Sequence, residues 1–135
     1  MTSVLARRRV LVVDDAATVR LWLEMQLGGT YDVSVAGDGA EAITKALSVR
    51  PDLILLDIEM PLVDGFGACR ALRALPATRR TPIILVTSRT DPSDVETGFA
   101  SGCTDFIGKP VDETELNAKV ASWISAAVAF EECTP

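Results

Sequence analysis

No histidine occurs among the 135 residues of this chain. That absence excludes imidazole acid–base catalysis and most zinc sites, and it rules the chain out as a phosphohistidine carrier. Cysteine is scarce. Cys69, Cys103 and Cys133 are odd in number, far apart and without a Cys-x-x-Cys pair, which points to a reducing, cytoplasmic setting without structural disulfides. No apolar run approaches the ~18 residues that a membrane span needs, so no membrane insertion is expected. Positive charge is in deficit: 13 Lys and Arg stand against 19 Asp and Glu, for a net charge of −6. A basic nucleic-acid footprint is therefore not expected. The basic run Arg7-Arg8-Arg9 is followed by only four apolar residues before Asp14. That is too short for an export segment and reads as a solvated lead-in to a strand.

What is present is a regular alternation. Apolar residues make up 48% of the chain and charged residues 24%, the balance of a globular domain. Strands are expected at 8–14, 31–36, 52–57, 82–87 and 104–108. Most are near-continuously apolar, as buried parallel strands are. The exception is 31–36, where Tyr31, Val33 and Val35 alternate with Asp32 and Ser34, the pattern of an edge strand. Helices are expected at 17–28, 38–49, 64–75, 93–101 and 113–127. The first presents Val19, Trp22, Leu23 and Leu27 on one face. The last presents Leu116, Val120, Trp123, Ile124 and Ala127, with Asp112 as its N-cap. Five strand–helix units with short connections predict an α/β domain with a doubly wound parallel sheet. The edge character of the second strand favours the flavodoxin-like order 2-1-3-4-5. Residues 1–7 are read as a lead-in, 8–127 as the domain and 128–135 as a frayed tail.

Four strands deliver a polar residue at the carboxyl end, where open parallel sheets bind ligands. Asp14 and Asp15 follow Val10-Leu11-Val12-Val13, Asp57 follows Leu53-Ile54-Leu55-Leu56, and Thr87 ends Ile83-Ile84-Leu85-Val86. Lys109 follows Phe106-Ile107-Gly108 and precedes Pro110. In the 2-1-3-4-5 order the strands carrying the three acids are neighbours. Two carboxylates about 4 Å apart repel by roughly 4 kcal/mol at an effective dielectric near 20. Three need a cation or a proton. Mg²⁺ suits such a site, because it takes oxygen ligands and usually one or two carboxylates plus phosphate oxygens. Asp57 is the candidate nucleophile, since a carboxylate can form an acyl phosphate, and Lys109 and Thr87 can hold phosphoryl oxygens.

With these residues in hand, the chain resembles a receiver domain of the two-component response regulators, of the chemotaxis-regulator type. The matching features are Asp14-Asp15 after Leu-Val-Val, Asp57 in Leu-Leu-Asp-Ile-Glu-Met-Pro, Gly65 eight residues on, Thr87-Ser88 and Lys109-Pro110. They span about residues 8–126. The resemblance implies that Asp57 accepts a phosphoryl group from a sensor histidine kinase or a histidine phosphotransfer protein. It implies that Asp15, Asp57 and the backbone carbonyl of Glu59 bind Mg²⁺, with Asp14 acting mainly through water. Thr87 and Lys109 would follow the phosphoryl group, Ser88 would leave room for it, and Phe106 would turn inward. A downstream protein would dock on the face formed by 93–101, 104–108 and 113–127. The chain would be a signalling switch and not an enzyme, apart from self-catalysed phosphotransfer and autodephosphorylation. A tyrosine is commoner in the family at the Phe106 position, so here no hydroxyl can signal. Glu59 and Arg89 stand at positions thought to tune dephosphorylation, and they are expected to pair over the pocket mouth. No output domain follows within the chain, as in a single-domain regulator or a receiver fragment of a longer protein.

Three rivals fit fewer residues. Gly37-Asp38-Gly39-Ala40-Glu41-Ala42 matches a dinucleotide fingerprint on paper. It follows an alternating strand, however, and leaves the acids, Thr87 and Lys109 unused. A haloacid-dehalogenase-like phosphatase would carry its nucleophile on the first strand, not the third. A phosphorylation-independent receiver-like interaction module would not need the full set of site residues.

Overall fold

The computed structural model of the chain describes residues 7–133. Residues 1–6 of the expected lead-in, and 134–135 of the expected tail, lie outside the described residues. Five strands form one parallel sheet: β1 (Arg9–Val13), β2 (Asp32–Ala36), β3 (Leu53–Leu56), β4 (Ile83–Thr87) and β5 (Asp105–Gly108). The order is β2-β1-β3-β4-β5, as expected. Five helices alternate with them: α1 (Ala17–Leu27), α2 (Gly39–Val49), α3 (Gly65–Ala74), α4 (Pro92–Ala100) and α5 (Glu113–Cys133).

Strand side chains point alternately to the two faces of the sheet, so each apolar run feeds two cores. Ile54 and Leu56 join Leu11, Val13, Ile83 and Leu85 beneath Ala42 and Ala46 of α2 and Phe66, Ala68 and Leu72 of α3. Leu53 and Leu55 join Val10, Val12, Ile84 and Val86 beneath Leu23 and Leu27 of α1 and Leu116, Val120 and Ile124 of α5. Burying a side chain of this size stabilises by ~1.5–3 kcal/mol relative to leaving it exposed, so the two cores hold the helices against the sheet. β2 is the expected edge: Asp32 is exposed, while Val33 and Val35 are only partly buried.

Local signals set the helix ends. The carboxylates of Asp38, Asp64 and Asp112 each accept a hydrogen bond, at 2.8 Å, from the backbone N–H of Glu41, Gly67 and Glu115 respectively. Such caps contribute about 1 kcal/mol each. α2 stops at Arg50, which turns left-handed at φ 53° ahead of Pro51.

Two expectations are corrected. Trp22 does not join the core face of α1; it is 36% exposed, and Leu23 and Leu27 carry the burial. The last helix does not end near residue 127 but runs to Cys133. The stretch from Ala126 to Glu132 holds no Gly or Pro, is rich in helix-forming Ala and Glu, and Val128 still packs against the second core. Cys69 and Cys103 are free and buried, and burial pushes the Cys103 thiol up to about 12, so neither is poised to react. Among the described residues no helix is long and apolar enough to cross a membrane.

Candidate functional site

The sheet register assembles the site. Val13 pairs with Leu56 across β1 and β3, so the next residues, Asp14 and Asp57, emerge side by side. Backbone bonds continue the ladder past the strand ends: Asp57 N–H donates to Val13 O at 2.9 Å and Asp14 N–H to Ala36 O at 3.1 Å. On the other side Thr87 pairs with Gly108, and Lys109 N–H donates to Thr87 O at 2.9 Å. The carboxyl end of the sheet thus gathers Asp14, Asp15, Asp57, Thr87 and Lys109.

One carboxylate oxygen from each of Asp14, Asp15 and Asp57 can be chosen so that all three lie within 4.8 Å of one another. Asp14 is 2% exposed and Asp57 5%, whereas Asp15 is exposed. Lys109 Nζ donates to Asp14 Oδ2 at 2.8 Å and stands 3.6 Å from Asp57 Oδ2. Asp14 and Asp57 therefore share one ammonium, with Asp15 a third carboxylate beside them. Burial, and then the neighbouring Asp14 charge, push the Asp57 carboxyl up to about 6, against the pull of Lys109. Burial alone would lower the Lys109 ammonium, but its hydrogen bond to Asp14 and the Asp57 charge outweigh that and hold it above its ordinary value. The donor set is hard, all oxygen and short of positive charge, which fits a hard divalent cation.

The remaining expected residues surround this centre. Glu59 N–H approaches Asp57 Oδ1 at 3.4 Å. Thr87 is fully buried, and its hydroxyl accepts a hydrogen bond from Arg89 N–H at 3.0 Å. Ser88 is exposed beside it. Phe106 pairs with Leu85, two residues before Thr87, and is partly buried against the first core, with its ring centroid 5.7 Å from that of Phe99 on α4. Lys119 Nζ donates to Phe106 O at 2.7 Å, and Trp123 Nε1 donates to Asp105 Oδ2 at 2.9 Å, so α5 is tied to β5. Gly65 is required by close approach: a Cβ there would sit 2.2 Å from Asp57 O and 2.6 Å from Ile58 Cα.

The expected pairing of Arg89 with Glu59 is not present. Arg89 bonds Asp94 of α4 at 2.8 Å and lies 5.8 Å over the ring of Phe66. Asp94 sits in the first turn of α4, which begins just past the loop that carries Arg89, and so reaches it first. Another contact went unread in the sequence. Arg20 of α1 donates to Asp14 O at 2.6 Å and braces the strand end that carries the acid. The Gly37–Gly39 turn does not cradle a cofactor at a central strand. It leaves the edge strand β2 and opens α2, with Asp38 as cap.

The comparisons with known proteins agree with this geometry. The family model for the response regulator receiver domain matches residues 10–121. The DNA-binding response regulator MtrA of Mycolicibacterium paratuberculosis is 44% identical over 115 residues, which cover 84% of this chain and 50% of that protein. The chain spans about half the length of this curated relative. The chemotaxis protein CheY4 of Vibrio cholerae superimposes with a TM-score of 0.83 at 34% identity, over 87% of this chain and 98% of that one. The receiver domain of sensor histidine kinase PA1611 from Pseudomonas aeruginosa, solved with a magnesium ion coordinated in its active-site cleft, gives a TM-score of 0.82 at 34% identity, over 89% and 99% of the two chains. By the extent of that family match, by its relatives and by its fold, this chain belongs to the response regulator receiver domain family.

Proposed function

We propose that this chain is a phosphorylation-dependent signalling switch whose phosphoryl acceptor is Asp57. The observation that carries the reading is the state of Asp57. It is a nearly buried carboxylate, raised to about 6, set between two other acids and a lysine at the end of a central strand. In the transfer, an Asp57 oxygen attacks phosphorus, the phosphorus–nitrogen bond to the donor imidazole breaks, and the imidazole leaves with a proton from solvent. The donor is a phosphohistidine on a sensor histidine kinase or a histidine phosphotransfer protein. Hydrolysis of the acyl phosphate by water returns Asp57 and inorganic phosphate. No other turnover is assigned to the chain, so it is a switch and not an enzyme in the ordinary sense.

Asp14, Asp15, Asp57 and the backbone carbonyl of Glu59 would hold Mg²⁺, which supplies charge neutralisation to the phosphoryl oxygens when bound. Lys109 already lies 3.6 Å from Asp57 and needs only to exchange Asp14 for a phosphoryl oxygen. The Thr87 hydroxyl would turn to donate to a second oxygen, and the small side chain of Ser88 leaves space beside it. Moving Thr87 also pulls on Arg89, which joins it to α4 through Asp94. Phe106 would follow, and the face formed by α4, β5 and α5 would change for a downstream protein. The switch works in the cytoplasm, where such kinases present their phosphohistidine.

The test is labelling with acetyl phosphate and Mg²⁺. One phosphoryl group should appear at Asp57 and be absent from Asp57→Asn, which should stay folded. Equal labelling of the variant would overturn the assignment.

A further inference from the structure

The end of the sheet opposite the phosphoryl site gathers four arginines whose guanidinium groups pair with no acid among the described residues. The chain has ten arginines at a net charge of −6. Six have polar partners for their guanidinium groups: Arg7, Arg8, Arg20, Arg70, Arg73 and Arg89. The other four, Arg9, Arg50, Arg79 and Arg80, line one cavity of 370 Å³. Among the described residues, the guanidinium groups of Arg9, Arg50 and Arg79 have no hydrogen-bond or ion-pair partner, and Arg80 faces only the ring of Phe130, 5.0 Å from its centroid. Asp52 also lines the cavity, but its carboxylate is engaged, accepting from Arg9 N–H at 2.8 Å and standing 3.9 Å from Arg8.

These residues are far apart in sequence and are brought together by the fold. Arg9 begins β1, Arg50 ends α2, and Arg79 and Arg80 precede β4. Guanidinium forks match phosphate oxygens in pairs, and unpaired like charges around one hollow favour an anion. A second cavity of 620 Å³ adjoins the first and shares Arg80, Pro82 and Ala127 with it. Its own walls include Trp123, Ala126 and Phe130, so it is aromatic and apolar. A charged hollow continuous with an apolar, aromatic one suits a ligand with both characters.

We propose that the pole of the sheet formed by Arg9, Arg50, Arg79 and Arg80 binds a phosphorylated small molecule of nucleotide type, its phosphates among the arginines and its ring in the groove between Trp123 and Phe130. The site is independent of the acidic centre at Asp57, which would repel the same anion unless metal were bound. It faces the carboxyl-terminal half of α5, whose amino-terminal half is bonded to β5, so occupancy reaches the proposed output face through one helix.

The experiment titrates the full chain, in metal-free buffer, with ATP and with inorganic pyrophosphate, following amide resonances and heats of binding. Both should shift the amides of Asp52, Thr81 and Ala127 and leave those of Asp57 and Thr87 unmoved, with ATP the tighter of the two. Arg9→Gln and Arg79→Gln, both at exposed positions, should each weaken both probes by about tenfold, the scale of one lost charge-assisted contact. Ala126→Gln fills the groove without changing charge, and it should weaken ATP and leave pyrophosphate unchanged. Unmoved amides at the arginine pole, or binding indifferent to both arginine substitutions, would overturn the site. Pyrophosphate binding as tightly as ATP would overturn the nucleotide assignment.

Discussion

The ammonium of Lys109 is bonded to Asp14, at 2.8 Å, and not to Asp57, from which it stands 3.6 Å away. The acceptor's own contacts are thus the longer ones, 3.4 Å from Glu59 N–H and 3.6 Å from Lys109, while the lysine is held within reach by the neighbouring acid. Lys109→Met should separate the two roles of this contact. It leaves the nearly buried Asp14 without its cation, so the metal-free protein should lose stability, by about 3 kcal/mol at the scale of a broken buried pair. It also removes the positive charge that competes with a metal. Mg²⁺ affinity should therefore rise several-fold while labelling by acetyl phosphate slows. Calorimetric Mg²⁺ titration of the variant checks this; weaker metal binding would mean that Lys109 organises the carboxylates and does not merely compete for them.

The raised Asp57 makes stability depend on pH in a defined window. Folded, the carboxyl takes its proton near pH 6; its ordinary value is 3.8. Between those values the folded state binds more protons than the unfolded state, so stability falls as pH rises. The contribution is fully present below about pH 4 and lost above about pH 6. Two units correspond to a few kcal/mol at most. In metal-free buffer, Asp57→Asn should raise the melting temperature at pH 7.5 and do little at pH 4. Saturating Mg²⁺ should shrink that difference, because a cation removes the reason for the proton. A benefit of Asn that is the same at both pH values would show that charge is not its cause.

A Cβ on Gly65 would overlap the backbone of Asp57 and Ile58, whereas one on Gly67, two residues into the same helix, meets nothing closer than 3.4 Å. Gly65→Ala should therefore cost about 1–3 kcal/mol, the range for overpacking, and should slow phosphoryl transfer by displacing the acceptor. Gly67→Ala is the control and should be neutral or mildly stabilising, since alanine is the better helix former. Denaturant melts and acetyl phosphate labelling of both variants measure the contrast. Equal losses in the two variants would show that the cost does not come from the contact with Asp57.

How much of this was legible beforehand follows from which interactions are local. The strands were readable because their apolar runs are short, uninterrupted and bounded by polar residues. The 2-1-3-4-5 order was readable from one alternating segment, which only an edge tolerates. The site was readable because a parallel sheet turns strand-end residues into neighbours, whatever their distance in sequence. Side-chain partners across loops were not readable. Arg89 could reach Glu59 or Asp94, and nothing in the spacing decides between them. Trp22 and the stretch 128–133 failed for a different reason. Periodicity places a residue near a face but does not say how far the neighbouring element covers it, and an alanine-rich continuation without a breaker has no marked end. The arginine pole was hidden because its four residues come from three separate segments. The run Arg7-Arg8-Arg9 is the one basic cluster in the sequence, yet it contributes only Arg9 to the cavity.

Phe106 rests against Gly98 of α4. A Cβ at residue 98 would come within 2.5 Å of the Phe106 ring and within 3.0 Å of Leu85 Cδ1. The glycine therefore sets where the aromatic ring can lie. Gly98→Ala should force the ring to a new position while leaving Asp57, Lys109 and the acidic pair untouched, because the atoms nearest a Cβ there belong to Phe106 and Leu85. If Phe106 reports the signalling state, even a bias of about 1 kcal/mol changes the ratio of two conformations about fivefold. Phosphorylation by acetyl phosphate should then proceed at the parental rate. Amide resonances along β5 and α5 should shift in the unphosphorylated variant, part or all of the way toward their positions with a phosphoryl mimic such as beryllofluoride. Shifts confined to α4, with β5 and α5 unmoved, would show that Phe106 adapts locally and does not carry the signal from the phosphoryl site to the face formed by α4, β5 and α5.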